Sequence, residues 1–475
     1  MIELEHTDER MGARMSELGR RRFLQNGAFG LGSLLATRSA PWMGANNRVR
    51  VAVIGINGMG RNHARAFAGL PDVEVAALCD VDENLFPRVI DELFVKQGRP
   101  KPKTYTDLRK LYEDKDVDAV SIVTPNHWHT LAALWAIQAG KHVTVEKPCC
   151  HNVHEGRVLA AAAKKARVIV QDGAEQRSNP CAQTMAKFLA EGGLGEVYLA
   201  KGLCYKWRAT IGRHQDEPVP KGVHYDLWLG PAPARAFNRN RFHYNWHWNW
   251  DYGNGDIGNQ GIHELDVARW GLGVKLPTKV HAIGGHFLFD DDQQTPNTLM
   301  ALFEFPNSHG AAEKKKILQF EVRGWMTNVE DPFWMPRRAA APPAAPAAAD
   351  AGYMATSAGN VVGNLFFGSK GYMTKSVEEW RTYMGEAREP GPTGKGEANH
   401  YAAFVNAIRD GDPATFNANM DEAFYSCALI HLANISYRLG RSLEFEPESL
   451  TFPHDAEANR MLTREYRAPY VLPRV

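Results

Sequence analysis

Three short stretches of the chain carry groups able to give and take protons. TPNHWH, from Thr124 to His129, offers a hydroxyl, an amide and two imidazoles. EKP, from Glu146 to Pro148, offers a carboxylate and an ammonium, and GNQGIHELD, from Gly258 to Asp266, offers amides, an imidazole and two carboxylates. A lysine or histidine within hydrogen-bond reach of a hydroxyl can remove or polarise its proton, which is worth roughly 10²- to 10⁴-fold in rate. Proline after Lys147 confines the lysine backbone to extended geometry and so fixes where its side chain points. Asn259 and His263 stand four residues apart, on one side of a helix if the helix reaches that far back. An amide at 259 can orient a hydroxyl or an imidazole but cannot move a proton as a carboxylate would. Asp266, one turn on, either positions that imidazole or makes a local contact.

Metal chemistry is not expected from these residues. His127 and His129 flank Trp128, but no third ligand stands at motif spacing. The six cysteines, at 79, 149, 150, 181, 204 and 427, include no CxxC, so neither a zinc module nor a disulfide framework is implied. The adjacent pair Cys149 and Cys150 reads as small buried apolar residues.

Elements of alternating kind must position these loops. VRVAVI, a Gly-rich turn and a helix-like segment occupy Val49 to Phe67, with glycines at 55, 58 and 60 and Asn57 in the second place of a GxGxxG pattern. Such a turn lets backbone N–H groups at a helix N-terminus approach a pyrophosphate, and Asn tolerates the positive φ the turn can require. Gly55, Asn57, Gly58, Met59 and Gly60 are therefore candidate dinucleotide contacts. A second apolar run, VEVAALCD, ends at Asp80, twenty residues past Gly60. A carboxylate there accepts from ribose hydroxyls and repels a 2′-phosphate, which favours NAD over NADP. Further apolar runs at 119–123, 142–145 and 168–170 alternate with helix-like segments at 127–139 and 153–166. The pattern is that of a doubly wound parallel sheet covered on both faces, with TPNHWH and EKP at strand carboxyl ends, where such folds bind ligands.

Beyond residue 175 the most distinctive segment is RFHYNWHWNWDY. Every even position from Phe242 to Tyr252 is aromatic, and the odd positions are His, Asn or Asp. As an extended strand it would show one aromatic and one polar face. Aromatic rings beside amides suit the C–H patches and hydroxyl rims of a sugar, so Trp246 and Trp250 are candidate substrate contacts; packing of a half-buried strand is the competing reading. The stretch 179–212 reads as a helix, then a strand, and RRAAAPPAAPAAADAG, residues 337–352, as a low-complexity loop.

At 475 residues, with 44% hydrophobic and 23% charged content, the chain can hold two domains with appendages. Net charge is +1, and its lysines and arginines are scattered, so a nucleic-acid partner is not expected. The segment 1–46 reads as an address: GRRRFLQ, Gly19 to Gln25, followed by a weakly apolar stretch from Asn26 to Ala36, resembles a twin-arginine export signal. The stretch is shorter than the ~20 residues a membrane span needs. Export to the periplasm or beyond is expected, or residence in the cytoplasm if the segment is only a basic tail.

VTPNHWH, AGKHVTVEKP, GNQGIHELDVARW and HLANISYRLGR, in this order after a Gly-rich first turn, resemble the glucose–fructose oxidoreductase and inositol 2-dehydrogenase family, written Gfo/Idh/MocA, over residues 48 to 447. The resemblance implies a Rossmann domain at 47–175, an α+β domain at 176–447 with an open, mainly antiparallel sheet flanked by helices, and a tail at 448–475. It implies Lys147 beside the nicotinamide and substrate hydroxyl, and Thr124, Asn126, His129 and Glu146 around the cofactor. The family often has Asp where Asn259 stands, so proton handling would fall to Lys147 and His263. Arg177 and Tyr205 are carried over as substrate contacts. The expected activity is NAD-dependent oxidation or reduction of a sugar, polyol or glycoside, with the cofactor retained and the chain a homodimer or homotetramer. One rival is an NAD-dependent glycosidase that oxidises a ring hydroxyl transiently, eliminates the aglycone, adds water and re-reduces. The other is a sensor that binds sugar or nucleotide without catalysis.

Overall fold

The computed structural model describes residues 48–306, 315–325, 361–412 and 417–474. The export-signal reading and the Ala/Pro-rich run 337–352 fall outside these residues. Six parallel strands form the first sheet: β1 (Val49–Ile54), β2 (Val73–Cys79), β3 (Lys103–Tyr105), β4 (Ala119–Ile122), β5 (His142–Val145) and β6 (Val170–Asp172). Their spatial order is β3-β2-β1-β4-β5-β6. The direction of winding reverses between β1 and β4, and a crevice opens there at the carboxyl ends of the strands. Strands buried on both faces must be apolar throughout, and Val51, Ala52 and Val53 of β1 are all fully buried.

Helix α1 (Gly58–Ala68) follows β1, α2 (Asn126–Gln138) follows β4, and α3 (Val153–Lys165) follows β5. The turn before α1 is possible only with glycine at two places. Gly55 has φ +83°, and a Cβ on Gly60 would lie 1.6 Å from the Gly55 carbonyl oxygen. Close approach of helix and strand is thus written into the sequence.

The second sheet has nine strands, β7 (Val197–Tyr205), β8 (Lys279–Gly285), β9 (Thr298–Pro306), β10 (Lys315–Arg323), β11 (Val361–Gly368), β12 (Gly371–Lys375), β13 (Glu379–Met384), β14 (Glu389–Lys395) and β15 (Leu443–Glu444), in the order β14-β13-β12-β11-β7-β10-β9-β8-β15. Neighbours pair antiparallel except β7 with β10. The short α4 (Gly255–Asn259) packs against α5 (Gly261–Leu272) and the long α6 (Met420–Leu439), and these last two lie on the sheet's buried face. A Cβ on Gly261 would meet the Phe320 ring at 2.2 Å, so α5 rests directly on the sheet. Removing that fully buried ring would cost about 3–5 kcal/mol and slacken the seat of α5.

The aromatic run departs from the extended strand expected of it. His243–Trp248 is a short 3₁₀ helix, entered through His243 at φ +46°. The chain then doubles back at Gly253, where a Cβ would lie 2.6 Å from the backbone of His247. Local turn chemistry wins over alternation: Asn249 takes the Asp251 N–H on its side chain and the Gly253 N–H on its carbonyl. Phe242 and Tyr252 consequently pack into one buried cluster with Tyr225, Trp228 and Phe237, while Trp246 stays at its margin.

Candidate functional site

A cavity of about 500 Å³ lies over the β1–β4 crevice, walled on one side by the Gly-rich turn and the β4 and β5 loops and on the other by the 242–247 segment and Asn259. Gly55, Ile56, Asn57, Gly58, Met59, Gly60 and Asp80 all line it. The N-terminus of α1 has no side-chain cap, and a Cβ on Gly58 would meet nothing within 4 Å. Uncapped N–H groups facing open space are what a diphosphate needs. Asp80 accepts the Ile56 N–H at 2.7 Å and the Asp82 N–H at 2.9 Å, so it braces the turn; each oxygen retains a lone pair for a ribose hydroxyl. Burial, only partly offset by these two N–H groups, pushes its carboxyl up to about 6.

The β4 loop presents Thr124, whose buried hydroxyl oxygen has no hydrogen-bond partner among the described residues, and Asn126 at the start of α2. His129 bridges the two loops, with one ring nitrogen 2.6 Å from the Thr124 carbonyl and the other 2.8 Å from the Pro148 carbonyl. It lines the cavity, but its ring is committed to positioning. Glu146 lies 3.0 Å from His63 Nε2 and takes the Lys147 N–H at 3.2 Å. Burial pushes this carboxyl up, yet His63 and then Lys147 outweigh it and hold it at about 2. His63, whose other nitrogen lies 2.8 Å from Ser121 Oγ, was missed by sequence reasoning; its place on the helix after the turn was the only signal.

Lys147 Nζ donates to the Asn259 carbonyl at 2.7 Å, which joins the two halves of the chain at the cavity wall. The Asn259 side chain donates to Tyr244 Oη at 3.3 Å, and Arg208 donates to the same oxygen at 2.9 Å. Arg208 is itself held by both oxygens of Asp256. With its oxygen accepting twice, Tyr244 has its own proton to offer elsewhere. His247 places Nδ1 2.6 Å from the Tyr244 carbonyl, so as a neutral ring it donates there and keeps Nε2 as an acceptor. Burial, and then the Lys147 charge, pull His263 down to about 3; burial does the same for His247, with Lys147 again opposing its proton. One ammonium therefore stands among two neutral imidazoles. His263 is not part of the cavity wall, although its Nδ1 is buried with no partner among the described residues.

Both halves match known sequence profiles. Residues 49–174 match the oxidoreductase family's NAD-binding Rossmann fold, and residues 181–296 and 375–472 match its C-terminal alpha/beta domain. The chain belongs to the Gfo/Idh/MocA family. By that match its first domain is an NAD-binding Rossmann fold. Among curated relatives, a glycosyl hydrolase family 109 protein of Shewanella baltica is 42% identical over 111 residues, 22% of this chain and 24% of its own length. The alpha-N-acetylgalactosaminidase of Shewanella oneidensis is 40% identical over 111 residues, 22% and 24% of the two chains. The match thus spans about a quarter of those relatives. Among solved structures, an oxidoreductase domain protein from Kribbella flavida superposes with TM-score 0.60 at 19% identity, covering 84% of this chain and 99% of that one. Levoglucosan dehydrogenase in complex with NADH gives 0.58 at 16% identity, with coverage of 84% and 99%.

Several expected contacts of this Gfo/Idh/MocA chain lie elsewhere. Arg177 is buried in a two-pronged pair with Asp266, at 2.8 and 2.7 Å, and does not reach the cavity. Asp266 also accepts from Ser426 Oγ at 2.6 Å, so it braces α5 against α6 and does not orient His263. Tyr205 is buried with its hydroxyl 3.0 Å from Glu321. Trp250 lies beneath the Arg438 guanidinium, 5.1 Å from it, and away from the cavity; Trp246 does line it. The His127 and His129 pair is spent on backbone carbonyls, His127 Nε2 lying 2.9 Å from that of Trp228. Trp228, Tyr244, His247 and Tyr470 are among the further lining residues and were not singled out from the sequence.

Proposed function

We propose that the protein oxidises or reduces a hydroxyl-bearing carbon of a sugar, polyol or glycoside, using NAD. The observation that carries this reading is the Lys147 to Asn259 contact: it brings an ammonium from the Rossmann half and the Tyr244 hydroxyl from the other half to one cavity that also contains the Gly-rich turn. Bound NAD supplies the hydride acceptor or donor. Lys147, acting in its neutral amine form, takes the hydroxyl proton as the C–H bond breaks and so becomes the ammonium, which returns that proton in the reverse direction; the buried, neutral His263 feels its charge. Tyr244, held by Arg208 and Asn259, and His247 Nε2 give fixed donor and acceptor points for neighbouring hydroxyls. Trp246, stacked on His247 at 3.6 Å between ring centres, offers an apolar face to sugar C–H groups. Asp80 favours NAD over its phosphorylated form because a buried carboxylate at the ribose repels a 2′-phosphate. Export of the folded, cofactor-loaded protein by the twin-arginine route accompanies this proposal.

A second reading has its own support, since the curated relatives quoted above are named as glycoside hydrolases. The same proton-handling groups would serve a transient oxidation that acidifies the adjacent C–H and expels the aglycone. The deciding experiment is to denature the purified protein, identify released dinucleotide, and offer the intact protein polyols and nitrophenyl glycosides. NADH accumulation on a polyol or sugar supports the dehydrogenase. Nitrophenol release without net NADH replaces it with the hydrolase. Neither signal, with binding unaffected by Lys147→Met, returns the sensor.

A further inference from the structure

Two residues past Lys147 the chain bends and places the thiols of Cys149 and Cys150 against α6. Cys427 and His431 on that helix, four residues apart and on one face, point back at them. The sulfurs of Cys149, Cys150 and Cys427 all lie within 4.8 Å of one another, with Cys149 and Cys427 3.8 Å apart. His431 Nε2 is 3.4 Å from Cys150 Sγ. All four residues are buried.

We propose that Cys149, Cys150, Cys427 and His431 form a structural zinc site. Zinc–sulfur bonds of about 2.3 Å and a zinc–nitrogen bond of about 2.0 Å in a tetrahedron put the sulfurs roughly 3.8 Å apart and sulfur and nitrogen roughly 3.5 Å apart. The Cys149–Cys427 and Cys150–His431 edges, 3.8 and 3.4 Å, have that size, and closing the tetrahedron requires His431 Nε2 to move toward the other two sulfurs, since among the described residues only the three thiols lie within 4.8 Å of one another. A disulfide needs its sulfurs about 2.0 Å apart. Three thiolates and one imidazole are a closed donor set with no open position, the pattern of a structural rather than a catalytic zinc. Glycine at 156 of α3 lets Cys150 Sγ and the Phe424 ring pack directly on the helix, where a Cβ would come within 2.9 and 2.8 Å of them. The loop is also held from α2: Thr130 donates to the Cys149 carbonyl at 3.0 Å, and His129 bonds that of Pro148. Zinc would therefore staple the loop that carries Lys147 to the longest helix of the second half. The staple stands apart from the oxidoreductase reading, and either can fail alone.

The test is metal analysis of the full-length protein purified from zinc-supplemented medium without chelator. About one zinc per chain is expected, falling below about a tenth in Cys427→Ser and in His431→Asn but not in Cys204→Ser, a buried cysteine outside the cluster. If the ligand variants do not fold, cobalt substitution of the wild-type chain decides: a thiolate-to-cobalt charge-transfer band with strong tetrahedral d–d bands supports the site. A wild-type protein with no zinc and no such band, or mass spectra showing Cys149 disulfide-bonded to Cys427, overturns it.

Discussion

Alanine at Gly60 and at Gly58 should have opposite consequences for stability while both harm cofactor binding. At Gly60 the new Cβ would lie 1.6 Å from the Gly55 oxygen, and real Cβ contacts do not fall below 3.0 Å, so helix or turn must yield by about 1.4 Å. The turn has little freedom to yield: the Gly55 N–H is bonded to the Cys79 carbonyl, and a Cβ on Gly55 would already lie 2.6 Å from the Val123 oxygen. The start of α1 must therefore retreat. Two helix-end N–H contacts to a diphosphate, each worth about 1.5–3 kcal/mol, are then lost, and NAD affinity falls more than about 100-fold. Overpacking costs the fold a further 1–3 kcal/mol or so. At Gly58 a Cβ meets nothing within 4 Å of protein, so alanine gains roughly 0.5–1 kcal/mol of stability from helix propensity and a less free unfolded chain. Its methyl group occupies the phosphate approach, and NAD affinity drops all the same. Tryptophan-fluorescence titration with NAD and thermal melts of the cofactor-free variants give the four numbers. A Gly60→Ala protein that binds NAD like wild type would refute the account of the turn, as would a Gly58→Ala protein that is less stable yet binds normally.

Lys147→Met should lower turnover by at least about 100-fold while leaving the amount of co-purifying dinucleotide nearly unchanged, measured by steady-state rates beside dinucleotide released on denaturation. Asp80→Ser should shift preference toward NADP, read as the ratio of the two dissociation constants. Arg177→Met takes from the buried Asp266 its two-pronged partner and leaves it Ser426 and the Arg269 guanidinium at 3.7 Å; a loss of at most about 3–5 kcal/mol in urea unfolding is expected with little change in the substrate KM, since Arg177 does not touch the cavity. His127, His247 and His263 titrate near 3 in the fold against 6.5 in the free state, chiefly through burial. The unfolded chain thus binds more protons between those values, and stability rises with pH across the window. It is complete above pH 6.5 and declines as pH falls toward 3, by on the order of 2 kcal/mol per histidine at pH 5, and His263→Gln should flatten the slope of the urea midpoint against pH.

What could be read from the sequence was whatever is local. The Gly-rich turn, Asp80 at a strand end and the loops after β4 and β5 each depend on a few consecutive residues, and they converge as the pattern implied. The aromatic run lines the cavity in part, as its composition suggested, but as a turn rather than the extended strand its alternation would make, because the Asn and Gly residues around it form turns. Tyr205 and Arg177 were assigned by position along the chain, whereas their orientation depends on Glu321 and Asp266, partners more than eighty residues away. The thiol cluster escaped notice because its members are 278 residues apart, where no spacing rule reaches.

The contact between Asn57 and His243, 3.0 Å long, ties the phosphate-binding turn to the segment carrying the recognition aromatics, and His243 also reaches Asp82 at 3.3 Å. Asn57 and His243 both line the cavity, so a dinucleotide seated on the turn would lie beside that bridge. A substitution beside His243 made to change substrate choice would disturb this bridge and with it the hold on the dinucleotide. Substrate choice and cofactor exchange would then change together rather than one at a time.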